Sequence, residues 1–304
     1  MRKLIVLGIV GFAAQLIDGA LGMAYGVTSS TLMLSTGLAP VVASASVHLA
    51  EVGTTVASGV AHMRFGNVDW TMVRRLGVPG AVGGFLGATV LGSVSTEWAA
   101  PLMAGLLCLL GVYVLVRFTL GSIRPVAGKP PLRARFLTPL GLVAGFVDAT
   151  GGGGWGPVAT PTLLVSGRVE PRKVIGSVDT SEFLVASAAS IGFLITLGRQ
   201  GVNLGYAFAL FAGGLVAAPI AAYLVRVIPP KLLGSLVGGF IVLVNVRTLL
   251  REFEVVGGPA TAAYLSILAI WVAAIAWSVR SLRLEQAADA EAEAEAELVA
   301  VVAG

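Results

Sequence analysis

The chain has 304 residues, of which 56% are hydrophobic and only 12% charged, with a mean hydropathy of +0.91; this is too apolar to hydrate the surface of a water-soluble domain. Its net charge of +4 comes from Lys and Arg in short gaps between apolar runs, a pattern that reads as topology signals and argues against a nucleic-acid surface. One cysteine, Cys108 in an apolar run, and two histidines, His48 and His62, exclude both a disulfide framework and a Cys/His zinc site.

Arg2 and Lys3 precede an apolar run that resembles a signal peptide, but no small-x-small cleavage site follows and the stretch recurs later, so it is expected to be retained. The first predicted element, Leu4 to Thr36, would be about 50 Å long as one helix, well over the hydrocarbon thickness of about 30 Å. It must tilt, break or fold back, and Gly19, Gly22 and Gly26 place the break in mid-segment. Asp18 sits just before it. A half-helix starting after Gly26 would present unpaired N–H groups and a positive dipole end, which suit an anion. Thr28, Ser29, Ser30 and Thr31 add neutral donors.

Ordinary spans are predicted at about 41–61, 76–94 and 99–120. In the first of these, His48 and Glu51 lie three apart and hence on one helix face. Gly121 to Arg135, basic and carrying Pro125, Pro130 and Pro131, reads as a linker.

The second half then repeats the first, with Asp148 standing where Asp18 does at an offset of 130 residues. Phe136 to Ser166 is again a long first segment, broken by Gly151, Gly152, Gly153 and Gly154 and by Gly156-Pro157. Trp155 matches Tyr25, and Thr160 and Thr162 supply the hydroxyls. Spans follow at 174–197, 204–225 and 231–250, with Asp179 and Glu182 repeating the His48 and Glu51 pair. A last apolar stretch, Thr261 to Val279, has no counterpart, and the tail Glu285 to Glu297 alternates Ala with acid and should be solvated as frayed helix or disorder.

The expected fold is therefore an all-α, polytopic membrane helical bundle of two homologous repeats, 1–120 and 136–253, joined by the linker 121–135. An extra transmembrane helix, 258–282, and an acidic tail, 283–304, complete it. If both first segments are hairpins, 15 of the 20 Lys and Arg fall on one side of the membrane, against a 13 to 7 division for single crossings. That bias favours hairpins, which also invert the two repeats relative to each other.

Broken backbone survives within lipid only where protein or a wet cavity satisfies it, so two matching breaks point to a binding site between the repeats. The candidate substrate-binding residues are Gly22, Gly26, Thr28, Ser29, Ser30, Thr31, Gly152, Gly153, Gly154, Trp155, Gly156 and Thr160. The competing reading of the glycines is close packing between helices. Ionisable groups inside spans are costly and point to function. Asp18, His48, Glu51, Asp148, Asp179 and Glu182 are the candidates for proton coupling, because burial disfavours a carboxylate's charge. Helix capping by Asp18 and Asp148, or a surface position for His48 or Asp179, are the alternatives.

Ser46-Val47-His48-Leu49-Ala50-Glu51, the Gly66-Asn67-Val68-Asp69-Trp70 loop and Gly80-Ala81-Val82-Gly83-Gly84-Phe85-Leu86-Gly87-Ala88 resemble the sulfite exporter TauE/SafE family over about Leu4 to Arg251. The resemblance implies a transporter of a small sulfur-containing anion, sulfite, a sulfonate or similar, across the cytoplasmic membrane. With the residues above it implies proton coupling, with protons and membrane lipid as further partners. Thr261 to Val279 departs from a family usually limited to about eight segments. No cofactor, resident metal or nucleic acid is expected, a homodimer is left open, and no nucleophile–base pair marks an enzyme. Two rivals remain: a divalent-cation transporter using Asp18, Glu51, Asp148 and Glu182 as hard oxygen ligands, and a membrane assembly protein that docks through its tail.

Overall fold

Backbone in hydrocarbon has no water to pair with and must satisfy its own N–H and C=O groups, and every regular element among the described residues is an α-helix. The computed structural model describes residues 2–21, 23–121, 132–166, 168–201, 203–224 and 229–303. In chain order these form α1 (Arg2–Leu21), α2 (Tyr25–Ser35), α3 (Pro40–Arg64), α4 (Trp70–Ser93), α5 (Thr96–Leu120) and α6 (Ala134–Gly151). They continue as α7 (Trp155–Ser166), α8 (Pro171–Gly201), α9 (Leu204–Leu224), α10 (Pro230–Glu252) and α11 (Gly258–Ala303).

Five helical stretches are long and apolar enough to cross a membrane: Trp70–Ser93, Glu97–Leu120, Lys173–Gly198, Lys231–Glu252 and Gly258–Ala288. The spans expected at 99–120, 174–197, 231–250 and 261–279 fall within them, and that expected at 76–94 overlaps the first to within one residue. The described part of α9 holds a shorter apolar stretch, Leu204–Ala217. Helix α3, at 25 residues, has the length of a span. Its apolarity is lower because it buries Ser44, Ser46, His48, Glu51 and Thr55.

Both long first segments break where the glycines cluster, between α1 and α2 and between α6 and α7, and the chain then turns back on itself. Arg2, Lys3 and Val6 from the start of α1 line one cavity together with Thr36 and Leu38, which follow α2. Leu132 and Leu137, at the start of α6, share another with Arg168, Val169 and Lys173, which follow α7. In each case the entry and exit of the segment lie together, as in a hairpin. Gly22 lies outside the described residues, as do 122–131 of the expected linker. The acidic tail continues α11 as helix to Ala303, and Lys231 Nζ on α10 donates to Ser281 Oγ (2.5 Å) and Glu285 Oε1 (2.9 Å) of α11.

Small residues let the helices approach closely. Gly83 and Gly87 of α4 meet the backbone of Leu142 and Phe146 of α6, while Gly141 and Gly145 meet Leu76 and Gly80. Positions advance together along both chains, so α4 and α6 run parallel. Helices α1 and α9 pair in the same sense, Gly8 and Gly11 lying against Ala209 and Leu210. Helix α5 crosses α10 antiparallel, Gly111 facing Ile241 and Gly234 facing Phe118. Helix α3 crosses α8 antiparallel as well, with Gly59 against Thr180 and the ring of His48 beside Phe193.

Candidate functional site

The two hairpin tips meet backbone to backbone. A Cβ on Gly26 would lie 2.8 Å from Gly153 Cα and 2.9 Å from Glu51 Oε1, and one on Gly156 would lie 2.9 Å from Met23 Cα. Gly152 and Gly153 take positive φ, 70° and 153°, a region open to glycine and strained for other residues. A Cβ on Gly153 would also run into the backbone of Gly26 and Val27. Close packing is therefore one job of these glycines.

Each tip is closed by a carboxylate from its own hairpin. Asp18 Oδ1 accepts from Ala24 N (2.6 Å) and Tyr25 N (3.0 Å). Asp148 Oδ1 accepts from Trp155 N (3.0 Å), and the Asp148 carbonyl accepts from Gly153 N (2.9 Å). These bonds correct the expectation that the half-helices begin after Gly26 and Gly156 with free N–H groups. They begin at Tyr25 and Trp155, and an internal anion already sits at each positive end. The register of the break decides this, because Asp18 and Asp148 stand seven residues ahead of Tyr25 and Trp155 and a reversing chain brings them back to those amides.

The second oxygen of Asp148 joins the halves of the chain. His48 Nε2 lies 3.1 Å from Asp148 Oδ2, and both side chains are buried. His48 Nδ1 lies 2.8 Å from the Ser44 carbonyl, which only accepts, so Nδ1 carries a hydrogen. The contact between Nε2 and Oδ2 then needs one more proton, held by either partner. Ser44 Oγ donates to the Ala149 carbonyl at 2.8 Å and ties α3 to α6 behind the pair. Glu51, 1% exposed, has no hydrogen-bond partner for either oxygen among the described residues. Buried polar atoms are nearly always paired, so an orphaned carboxyl points to a proton or a guest. His48, Glu51 and Asp148 offer donor atoms within 4.8 Å of one another, close enough to share a cation. Sequence spacing shows His48 with Glu51 and cannot show Asp148 joining them.

In front of the tips lies a small cleft of about 20 Å³, room for about one water molecule, lined by Asp18, Asp148, Asp179 and Glu182 and by Met23 to Val27. Gly154, Gly156 and Pro157 complete its wall. No Lys or Arg is among the described residues that line it. Asp179 Oδ2 accepts from Ser58 Oγ (2.7 Å) and lies 3.9 Å from His62 Nε2. Neither Asp179 nor His62 is fully enclosed, their side chains being 21% and 27% exposed.

The hydroxyls divide. Ser29 donates to the Tyr25 carbonyl (2.6 Å), Ser30 donates to the Gly152 carbonyl, and Thr31 accepts from Asn245 Nδ2 (3.0 Å). Of those three, the Ser30 bond joins the tips, while that of Ser29 stays within α2 and that of Thr31 ties α2 to α10. Thr28 and Thr160 are buried with no partner for Oγ1 among the described residues. Trp155, fully buried, donates from Nε1 to the Val178 carbonyl (2.9 Å) and so fixes α7 on α8. The sequence reading passed over Ser58, His62 and Asn245. The signal available for His62 was its distance of fourteen residues from His48, about four helical turns and so near the same face.

The family model described as sulfite exporter TauE/SafE matches residues 7–248. The chain is also 54% identical over 277 residues to "Probable membrane transporter protein YtnM" of Bacillus subtilis (strain 168), an overlap covering 90% of this chain and 92% of that one. No solved structure matches.

Proposed function

The chain belongs to the sulfite exporter TauE/SafE family and is a multi-pass membrane transporter, and from that membership we propose that it carries a small sulfur-containing anion, sulfite, a sulfonate or similar, together with protons. The observation that carries the reading is the pair of internal carboxylates. Asp18 and Asp148 hold the amides that an incoming anion would use. Protonating either one removes a negative charge from the cleft and weakens its hold on the helix end. A tetrahedral or trigonal oxyanion then takes its place on the freed N–H groups. The cleft, rich in acid and with no Lys or Arg among its described lining residues, repels the anion until protons arrive, which makes the two fluxes obligatory partners.

The packing supports two inverted repeats, because α6 lies on α4 as α1 lies on α9, while the equivalent pairs α3 with α8 and α5 with α10 cross antiparallel. In such a fold the substrate sits where the repeats meet, and alternating access comes from rocking one against the other.

The test is flux in proteoliposomes of the folded protein. An inward proton gradient is expected to drive uptake of sulfite, thiosulfate or a sulfonate, and each anion gradient should move protons. If none of the three moves in either direction, the reading fails. The same acid-rich cleft and the His48, Glu51 and Asp148 grouping favour a divalent cation as the second reading. Calorimetry separates the two, since saturable heat with a divalent ion and none with the anions selects the cation.

A further inference from the structure

A cleft that loads protons needs a path to water, and its four carboxyls differ in what they face. Asp18 is engaged with the amides of its own hairpin tip. Asp148 is paired with the fully buried His48. Glu182 makes no hydrogen bond or ion pair among the described residues. Asp179 differs: it lines the cleft and also faces His62, the one histidine with a partly exposed ring.

We propose that His62 and Asp179 form the port through which protons pass between the cytoplasmic surface and the cleft. This rests on the proton-coupled reading above. His62 sits in the last turn of α3, next to the loop Phe65 to Asp69. The loop is tied to the start of α8 by Asp69 N donating to Ser177 Oγ at 2.8 Å. Arg64, Arg74, Arg75, Arg168 and Lys173 lie near the same helix ends, which places this end in the cytoplasm. The 3.9 Å between His62 Nε2 and Asp179 Oδ2 exceeds a direct hydrogen bond. A small ring rotation or one bridging water closes it.

The transfer is balanced. Protonated His62 gives its Nε2 proton to the Asp179 carboxylate, leaving neutral imidazole and a neutral carboxyl. Asp179 passes the proton to the cleft, where Asp18 from α1, Asp148 from α6 and Glu182 from its own helix are the titratable groups facing it. Ser58 of α3 donates to Asp179 Oδ2 and holds that carboxyl toward the ring. Around His62 itself, Gly176 of α8 packs against the ring, and Asn67 N of the loop donates to the His62 carbonyl at 3.0 Å. No other charged group of the packed elements makes an ion pair with it among the described residues.

The experiment measures proton flux in liposomes at low buffer concentration. His62→Gln is expected to slow substrate-driven proton movement by about a hundredfold or more, the range for loss of a positioned proton-transfer group. Binding of the anion and the ratio of protons to anions should not change. Added imidazole should restore the rate, which a merely structural histidine would not allow. His62→Glu, which retains a titratable group, should keep most of the flux with a displaced pH profile, and it carries the test if the Gln protein fails to fold. Wild-type flux in His62→Gln, or a loss that imidazole leaves untouched, overturns the port. A wild-type protein that moves the anion without protons overturns the coupled reading itself, so the two failures are distinguishable.

Discussion

Asp148 makes two bonds that pull in different directions. Through Oδ1 it caps α7 at Trp155 N, and through Oδ2 it shares a proton with His48. An amide in its place keeps the cap, since its oxygen still accepts, and gives up the exchangeable proton. Asp148→Asn is therefore expected to fold, to bind the anion, and to catalyse exchange of anion across the membrane while losing accumulation against a gradient. Counterflow and accumulation assays in proteoliposomes check this, and a variant that still accumulates the anion against its gradient would leave Asp148 outside the proposed coupling. The residue itself was legible in the sequence, because a carboxyl recurring ahead of two glycine clusters is hard to place otherwise. Its partners were not. His48 lies one hundred residues away, and only the fold brings it to Asp148.

At the level of the element, the hairpin tip stands on one glycine more than on its neighbours. Gly153 combines a φ of 153° with a Cβ direction that runs into the backbone of Val27. Nothing there can yield without moving α2. Gly151 lies two residues away inside α6, where an added Cβ would meet Leu106 at 3.4 Å, an ordinary contact. Gly153→Ala is expected to cost about 2–4 kcal/mol, the range of backbone strain added to overpacking, and to lower the melting temperature and the folded yield. Gly151→Ala should be neutral or gain up to about 1 kcal/mol from helix propensity. Thermal unfolding of the detergent-solubilised proteins checks both, and equal effects would refute the contact between tips. Composition located the breaks, since glycine runs inside an apolar stretch mark the poorest helix formers. It could not place the helix starts at Tyr25 and Trp155, because that register depends on Asp18 and Asp148 reaching back across the turn.

Across the whole molecule, the hairpins fix which ends share a side. If α6 and α7 made one broken crossing, Arg133 and Arg168 would face opposite compartments. Their elements instead line a common cavity, and so do those bearing Lys3 and Leu38 at the other hairpin. The charge count agrees, since hairpins collect 15 of 20 basic residues on one side, the side that cytoplasmic loops favour. The extra helix then has an assignment the sequence could not make. Lys231, at the start of α10, reaches Ser281 and Glu285 near the far end of α11, so the acidic tail leaves the membrane on the same side as α10 begins. Single cysteines placed in a Cys108→Ala background test the arrangement in intact cells with an impermeant thiol reagent. Lys3→Cys and Leu38→Cys are expected to react from outside. Arg133→Cys, Arg168→Cys and Glu285→Cys should react only after the cells are opened, and labelling of Arg133→Cys and Arg168→Cys from opposite sides would replace the hairpin by a single crossing and overturn the proposed inversion of the repeats.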